Sequence, residues 1–356
     1  MNVLYVTTRY PPHTGGVETH VAELASRFAA AGHDVTVLTA DAEGLTRSAE
    51  YREGVRVIRH PGVAPGGAFH VAPEILATLR RLVGDADIVH AHNYHSLPLL
   101  FAALGTDAET PFVATPHYHG GSASALRDKL LSVYRVPGRW ALCRADARIA
   151  VSGWERRQLE ADFGVEATVI PNGLDVARFA EASPGPEWAD RDYLLSVGRL
   201  EEYKGVQHVI RSLPDLEYDL AVAGAGDYGS ELKRLAREVG VEDRVHFLGF
   251  VADEDLPGLY AGAAAFVTMS EFEAYGMTVA EALAAGTPCV VRNAGALVDW
   301  SERPDCVGVG IDPATVVSGV ERAVDLDAPA EPLPTWEDVV ERTAAVYDSV
   351  CRGGWR

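Results

Sequence analysis

The sequence predicts an α/β protein built from two parallel-sheet domains. Three observations carry this. Strand-like apolar runs alternate with helical runs through most of the chain, the pattern of strands joined by helical crossovers. The alternation halts at Ala180–Arg191, where Ser183, Pro184, Gly185, Pro186 and several charges read as a linker, and it then restarts. The length of 356 residues exceeds one ordinary domain and allows a large core without disulfide or metal staples.

Taken in order, the predicted strands of the first half are Asn2–Thr7, Asp34–Thr39, Val55–Arg59, Ile88–Ala91, Phe112–Thr115, Ala147–Val151 and Thr168–Ile170. Val17–Ala31 reads as a helix between the first two. The second half gives Tyr193–Val197, Asp219–Ala223, Val245–Leu248, Ala265–Thr268 and Pro288–Val291, with helical patterns at Gly229–Glu238 and Thr278–Ala285. After the proline-broken stretch Pro329–Pro334, Trp336–Val350 reads as a final helix. The expected domains are residues 1–172 and 193–330, with a helical tail at 333–356 packing back on the first domain. No internal repeat is visible.

Composition narrows the function. A formal charge of −20 argues against nucleic acid, which requires a basic footprint. Of 31 basic residues only Lys129, Lys204 and Lys233 are lysine, leaving 28 arginines. An acidic, lysine-poor surface suits molar salt, where screening is short-ranged, so a halophilic cytoplasm is expected. No apolar run is long enough to span a membrane, and Met1–Thr7 has neither a basic leader nor a cleavage site. Cys143, Cys289, Cys306 and Cys351 form no CxxC pair and read as reduced thiols.

In open parallel sheets ligands bind beyond the carboxyl ends of strands, and several informative segments fall there. Gly15-Gly16 opens a helix after the first strand and offers backbone amides to an anion. His117 and His119 crowd a glycine-ended loop after Phe112–Thr115, where a histidine can hydrogen-bond substrate. His90 and His92 end another strand and read as packing and loop-positioning residues, since no acid or cysteine stands at zinc spacing. Arg199 and Lys204 lie in a glycine-bounded loop after Tyr193–Val197, a pairing of planar and compact cations suited to phosphate. Gly224–Gly229 formally matches GxGxxG; its mid-chain position and the missing acid after the next strand weigh against a dinucleotide. Glu273 precedes a helix beginning at Gly276–Thr278, and Glu281 lies on that helix within an apolar stretch. The helix start can take phosphate, and a buried carboxylate can hold two ribose hydroxyls.

Together these segments resemble the retaining glycosyltransferases of the GT4 family, which have the GT-B fold. The resemblance runs from Met1 to about Val291. It rests on Pro11-Pro12…Gly15-Gly16-Val17-Glu18, Ala114-Thr115-Pro116-His117, Pro171-Asn172-Gly173-Leu174-Asp175, Val197-Gly198-Arg199-Leu200…Lys204-Gly205 and Phe247-Leu248-Gly249-Phe250-Val251. Glu273 and Glu281 match the family's Glu-x7-Glu signature.

The resemblance implies a nucleotide-sugar donor, UDP- or GDP-linked, held between two Rossmann-like domains. It places Arg199, Lys204, Gly15, Gly16, Gly276, Met277 and Thr278 at the diphosphate, and Glu281, Phe250 and Val251 at the nucleoside. Glu273 would lie near the donor sugar and His117 beside the anomeric carbon. It implies no metal and no cofactor, the cations and helix dipole stabilising the leaving diphosphate. Where the family carries Gly-Gly-x-x-Glu, this chain reads Asn293-Ala294-Gly295-Ala296-Leu297-Val298-Asp299. A nucleotide-sugar epimerase or a non-catalytic relative of the same fold are the alternatives. Asp85-Ala86-Asp87 and Asp190-Arg191-Asp192 match DxD only formally, since neither ends a strand.

The acceptor is expected to be a glycan or a lipid-linked, polyprenyl-type molecule. Residues 120–160 carry eight basic and four acidic side chains, a net of +4 in an acidic chain. Leu126, Leu130, Leu131, Tyr134 and Trp140 interleave with them, so 126–144 could lie on the inner face of the membrane or be a helix with one core face.

Overall fold

The computed structural model describes residues 1–41, 47–65, 69–121, 125–185, 188, 191–326 and 331–352, the side chains of 125–128 and 352 excepted. The chain forms two compact units, residues 1–173 with 336–356 and residues 174–335. Parts of the linker, Pro186 included, Asp190, the start of the proline-broken stretch at Pro329, and the side chains of Leu126 and Arg127 lie outside the described residues.

Unit 1 contains β1 (Asn2–Thr7), α1 (Gly16–Ala30), β2 (Asp34–Asp41), β3 (Ser48–Arg52), β4 (Val55–Pro61), α2 (Glu74–Leu82) and β5 (Ile88–His92). It continues with α3 (Pro98–Gly105), β6 (Phe112–Thr115), α4 (Ala125–Arg144), β7 (Ala147–Ala150), α5 (Gly153–Phe163) and β8 (Thr168–Val169). The sheet runs β3-β4-β2-β1-β5-β6-β7-β8. Every pairing is parallel except β3 with β4. Because side chains alternate along a strand, the sheet feeds two cores. Leu4 and Val6 of β1 face one with Leu79, Leu99 and Phe163. Val3 and Tyr5 face the other with Leu24 and Phe28 of α1.

Unit 2 contains α6 (Val176–Ala180), β9 (Tyr193–Val197), α7 (Val206–Ser212), β10 (Asp219–Ala223), α8 (Gly229–Glu238), β11 (Val245–Gly249), α9 (Leu256–Gly262) and β12 (Ala265–Thr268). It closes with α10 (Met277–Ala284), β13 (Cys289–Arg292), α11 (Leu297–Ser301), β14 (Cys306–Val309) and α12 (Pro313–Val324). Its all-parallel sheet runs β11-β10-β9-β12-β13-β14. The chain then returns to unit 1 as α13 (Trp336–Arg352). Tyr347 of α13 packs at a tilt against Phe28 of α1, and its hydroxyl hydrogen-bonds with Tyr5 and His90.

Two strands escaped the sequence reading. In β3 all five residues are exposed, so no apolar alternation marks it; its ladder to β4 and the Glu50–Arg59 pair hold it. The short β14 pairs Cys306 with Cys289 at the sheet edge, and all four cysteines are free thiols. Among the described residues no helix is long and apolar enough to cross a membrane.

Strand order also fixes where ligands can bind. It reverses between β1 and β5 in unit 1 and between β9 and β12 in unit 2. At such switch points adjacent loops diverge and open a crevice at the strands' carboxyl ends.

Candidate active site

In unit 2 the loops after β9 and β12 flank the switch point, and they carry Arg199, Lys204 and Glu273. These three line one recess together with Ser196, Gly198 and Thr268. Lys204 Nζ donates to Glu273 Oε1 at 2.5 Å. Burial is the largest influence and works against the Lys204 charge, but Glu273 and Tyr203 together outweigh it and lift the ammonium above its ordinary range. Arg199 is exposed, and its guanidinium donates to the Tyr203 hydroxyl at 3.0 Å. The Glu271 amide donates to the Tyr203 carbonyl at 2.8 Å, tying the two loops together. The result is a fixed cation pair with one charge compensated and one facing solvent.

Gly276 caps α10 with φ 99°, in the left-handed region that glycine tolerates. Met277 and Thr278 form the half-buried first turn behind it. One helical turn on, Glu281 Oε2 accepts from the Tyr260 hydroxyl at 2.7 Å. Burial raises the Glu281 carboxyl, against the pull of the Tyr260 bond and of Arg178. Glu281 thus presents an acceptor held by one partner. Phe250 follows β11 with its ring 79% exposed, and Val251 beside it is half-buried. Asp253, a little further along that loop, acts on Glu281 electrostatically.

The glycines of Gly224–Gly229 have a local explanation. A Cβ at Gly224 would lie 1.9 Å from the Gly198 carbonyl oxygen, and one at Gly226 would lie 2.4 Å from that of Leu200. They let the loop after β10 pack against the Arg199 loop, which accounts for the motif without a dinucleotide. The departing segment after β13 also has a role: Ala296 N donates to the Glu273 carbonyl at 3.0 Å, so it still docks on the acidic loop.

In unit 1, Gly15 is the N-cap of α1 and Gly16 its exposed first residue. A side chain at Gly15 would strike Glu18, which Arg9 holds through a 2.7 Å bond. His117 stands after β6 with φ 48° and is buried. Its ring lies edge-on to His20 of α1, 4.9 Å between centroids, and its Nε2 is 3.3 Å from His92 Nδ1. Burial drives the His117 and His92 pKa values well below the usual imidazole range. All three rings are therefore neutral at pH 7.

Sequence reasoning missed Glu155. This fully buried carboxylate accepts from Tyr118 N at 2.5 Å and Val151 N at 2.6 Å, pinning the loop that carries His117. Burial lifts it to about 8, against the two amide bonds. The signal was Ser152-Gly153-Trp154-Glu155, the spacing of a capping box; Ser152 does cap α5 through Glu155 N, while the acid turns to the neighbouring strand ends. His20 was missed too, as a histidine on a helix has no local signature. Asp87 of the first acidic triplet is engaged by Asn2 N at 2.7 Å.

The arginines of α4 and β7 are largely used internally. Arg135, Arg139 and Arg144 of α4 donate to the carbonyls of Asp162, Phe163 and Asp107, and Arg148 of β7 donates to that of Glu166. Val133, Val136 and Trp140 are exposed, and beside them is an apolar hollow of about 450 Å³ lined by Phe69, Leu97, Leu100 and Tyr134.

Comparison with known proteins bears on the whole chain. Residues 14–178 match the family described as Glycosyltransferase Family 4, and residues 180–308 match Glycosyl transferases group 1. Glycogen synthase of Mycobacterium tuberculosis is 32% identical, the match covering 99% of this chain and 96% of the relative. The GDP-mannose-dependent alpha-(1-6)-phosphatidylinositol monomannoside mannosyltransferase of Mycolicibacterium smegmatis is 29% identical over 82% of this chain and 81% of the relative. Among solved structures, sucrose-phosphate synthase from Thermosynechococcus elongatus superposes with a TM-score of 0.78 at 20% identity, covering 99% of this chain and all of the other. Anabaena HepE in complex with UDP and glucose gives a TM-score of 0.76 at 18% identity, over 98% and 100%. The two matched families, the near full-length relatives and the shared architecture lead to one conclusion: the chain belongs to glycosyltransferase family 4, and it is a glycosyltransferase of the GT-B fold.

Proposed function

We propose that this enzyme transfers a hexosyl group from a UDP- or GDP-sugar to a glycan or lipid-linked acceptor, with retention and without a metal ion. The observation that carries the reading is the convergence of Arg199, Lys204 and Glu273 on one recess at the strand-order reversal of unit 2. Lys204 and Arg199 neutralise the donor diphosphate, and the amides at the start of α10 add partial positive charge. Glu273 fixes the ammonium in place and faces the sugar. Glu281 accepts the ribose hydroxyls, and Phe250 offers an exposed ring to the base.

In the transfer, the bond from the anomeric carbon to the leaving phosphate oxygen breaks, and its electron pair stays on that oxygen. The acceptor hydroxyl bonds the anomeric carbon from the same face, and its proton passes to the departing phosphate. No enzymic nucleophile is required. A neutral His117 is suited to a hydrogen bond with a sugar hydroxyl, and unsuited to supply a proton. The exposed apolar residues of α4 and the hollow beside them favour a lipid-linked acceptor.

The test is nucleotide release from UDP-, GDP- and ADP-sugars in molar KCl with EDTA, with and without a lipid extract. Release with one donor that rises on adding the extract supports the whole reading. Isomerisation of donor alone would favour an epimerase, and binding without turnover a non-catalytic protein.

A further inference from the structure

Unit 1 gathers three histidines from three separate elements. His20 comes from α1, His92 from the end of β5 and His117 from the loop after β6. Each offers one ring nitrogen, and the three nitrogens lie within 4.8 Å of one another. The ring centroids are 4.9 Å apart for His20–His117, 5.5 Å for His20–His92 and 5.6 Å for His92–His117.

Those spacings match a metal-binding triad. Three imidazoles bound tetrahedrally at a zinc–nitrogen distance of about 2.05 Å hold their ring centres about 5.2 Å apart and their ligand nitrogens about 3.3 Å apart. The observed His92 Nδ1 to His117 Nε2 separation is 3.3 Å. Within the cluster His20 Nδ1 is buried with no hydrogen-bond partner among the described residues, although the Asn172 side chain lies against the same ring. A buried imidazole nitrogen left this way is costly unless something else engages it. The rings are 2%, 0% and 5% exposed, so the cluster is closed off from bulk water.

We propose that His20, His92 and His117 form a binding site for a divalent transition ion of the zinc class, for which three imidazoles are a suitable ligand set. The fourth position would be left to water. Because the ion takes a nitrogen of His117, it inhibits transfer; this consequence rests on the sugar-side role given to His117 above, whereas the metal site does not.

Cobalt titration of the chelator-treated full chain tests the site. The expected result is one ion per chain, with the visible band of tetrahedral cobalt displaced by zinc. His20→Asn and His92→Asn each weaken binding by about tenfold or more, by analogy with the cost of disturbing a metal's supporting residues. His208→Asn, on α7 in unit 2, leaves it unchanged. Absence of the band, or undiminished binding in both cluster variants, overturns the proposal. Should those variants fail to fold, nitrogen NMR of the unsubstituted chain decides: zinc must move three histidine ring signals, and unmoved signals overturn it. Zinc should also inhibit transfer reversibly to EDTA. Binding without inhibition supports the metal site and removes His117 from the sugar.

Discussion

The recess of unit 2 and the histidine cluster of unit 1 treat their titratable groups in opposite ways. The recess keeps charges and compensates them: Lys204 is pinned to Glu273, and Arg199 is braced by Tyr203. Around His117 the groups are buried and made neutral, with His20, His92 and His117 pushed down and Glu155 pushed up. Fixed charge is what a diphosphate requires from its binder. Neutral donors and acceptors are what a sugar and an incoming hydroxyl require. Under the proposed function, unit 2 would bind by charge and unit 1 would position by hydrogen bonds.

The strongest way to break this division is Lys204→Ala. It removes the half-buried cation and leaves Glu273 without its ion-pair partner. We expect kcat/KM for donor to fall by roughly 100-fold or more, about 3 kcal/mol, with the thermal midpoint little changed. Unchanged nucleotide affinity by calorimetry would sink the diphosphate assignment.

Glu155 sharpens the other side. Its folded pKa of about 8 exceeds the unfolded value of 4.5, so between these pH values the folded chain keeps a proton that the unfolded chain has lost. Its contribution is complete below pH 4.5 and is lost as pH rises to about 8, at up to about 1.4 kcal/mol per pH unit. Denaturant midpoints across this range should decline more steeply for the native chain than for Glu155→Gln. Parallel pH profiles would show that Glu155 is not held protonated.

The smallest effect is expected at Glu281→Gln. An amide keeps one acceptor oxygen and loses the charge, so UDP or GDP should bind about tenfold more weakly, near 1.4 kcal/mol. Equal affinities would remove the ribose role.

Much of this was legible in the sequence because it is local. Strands such as Tyr193–Val197 are buried on both faces and announce themselves as apolar runs. Arg199 and Lys204 could be read as neighbours because their loop follows a strand directly, and both line one recess. Tertiary features were not legible. The three histidines meet only because β5 and β6 are neighbours and α1 crosses them, which no spacing encodes. Likewise Gly224 resembled a cofactor motif, whereas the atom it must avoid belongs to Gly198, on another strand's loop.

The return of α13 to unit 1 also sets a timetable. Tyr347 closes the hydrogen bonds to His90 and Tyr5 across sequence separations of 257 and 342 residues. Trp336 and Val339 fill the same core as β1 and α1. At about 5–20 residues per second, the ribosome needs roughly 8–32 s to make unit 2 after the first part of unit 1. Through that interval the face of the nascent first sheet that α1 shares with α13 is only partly covered. A chaperone that shields this face, or a slow-translating stretch before Trp336 that prolongs its exposure, would therefore change the yield of active enzyme without touching a single site residue.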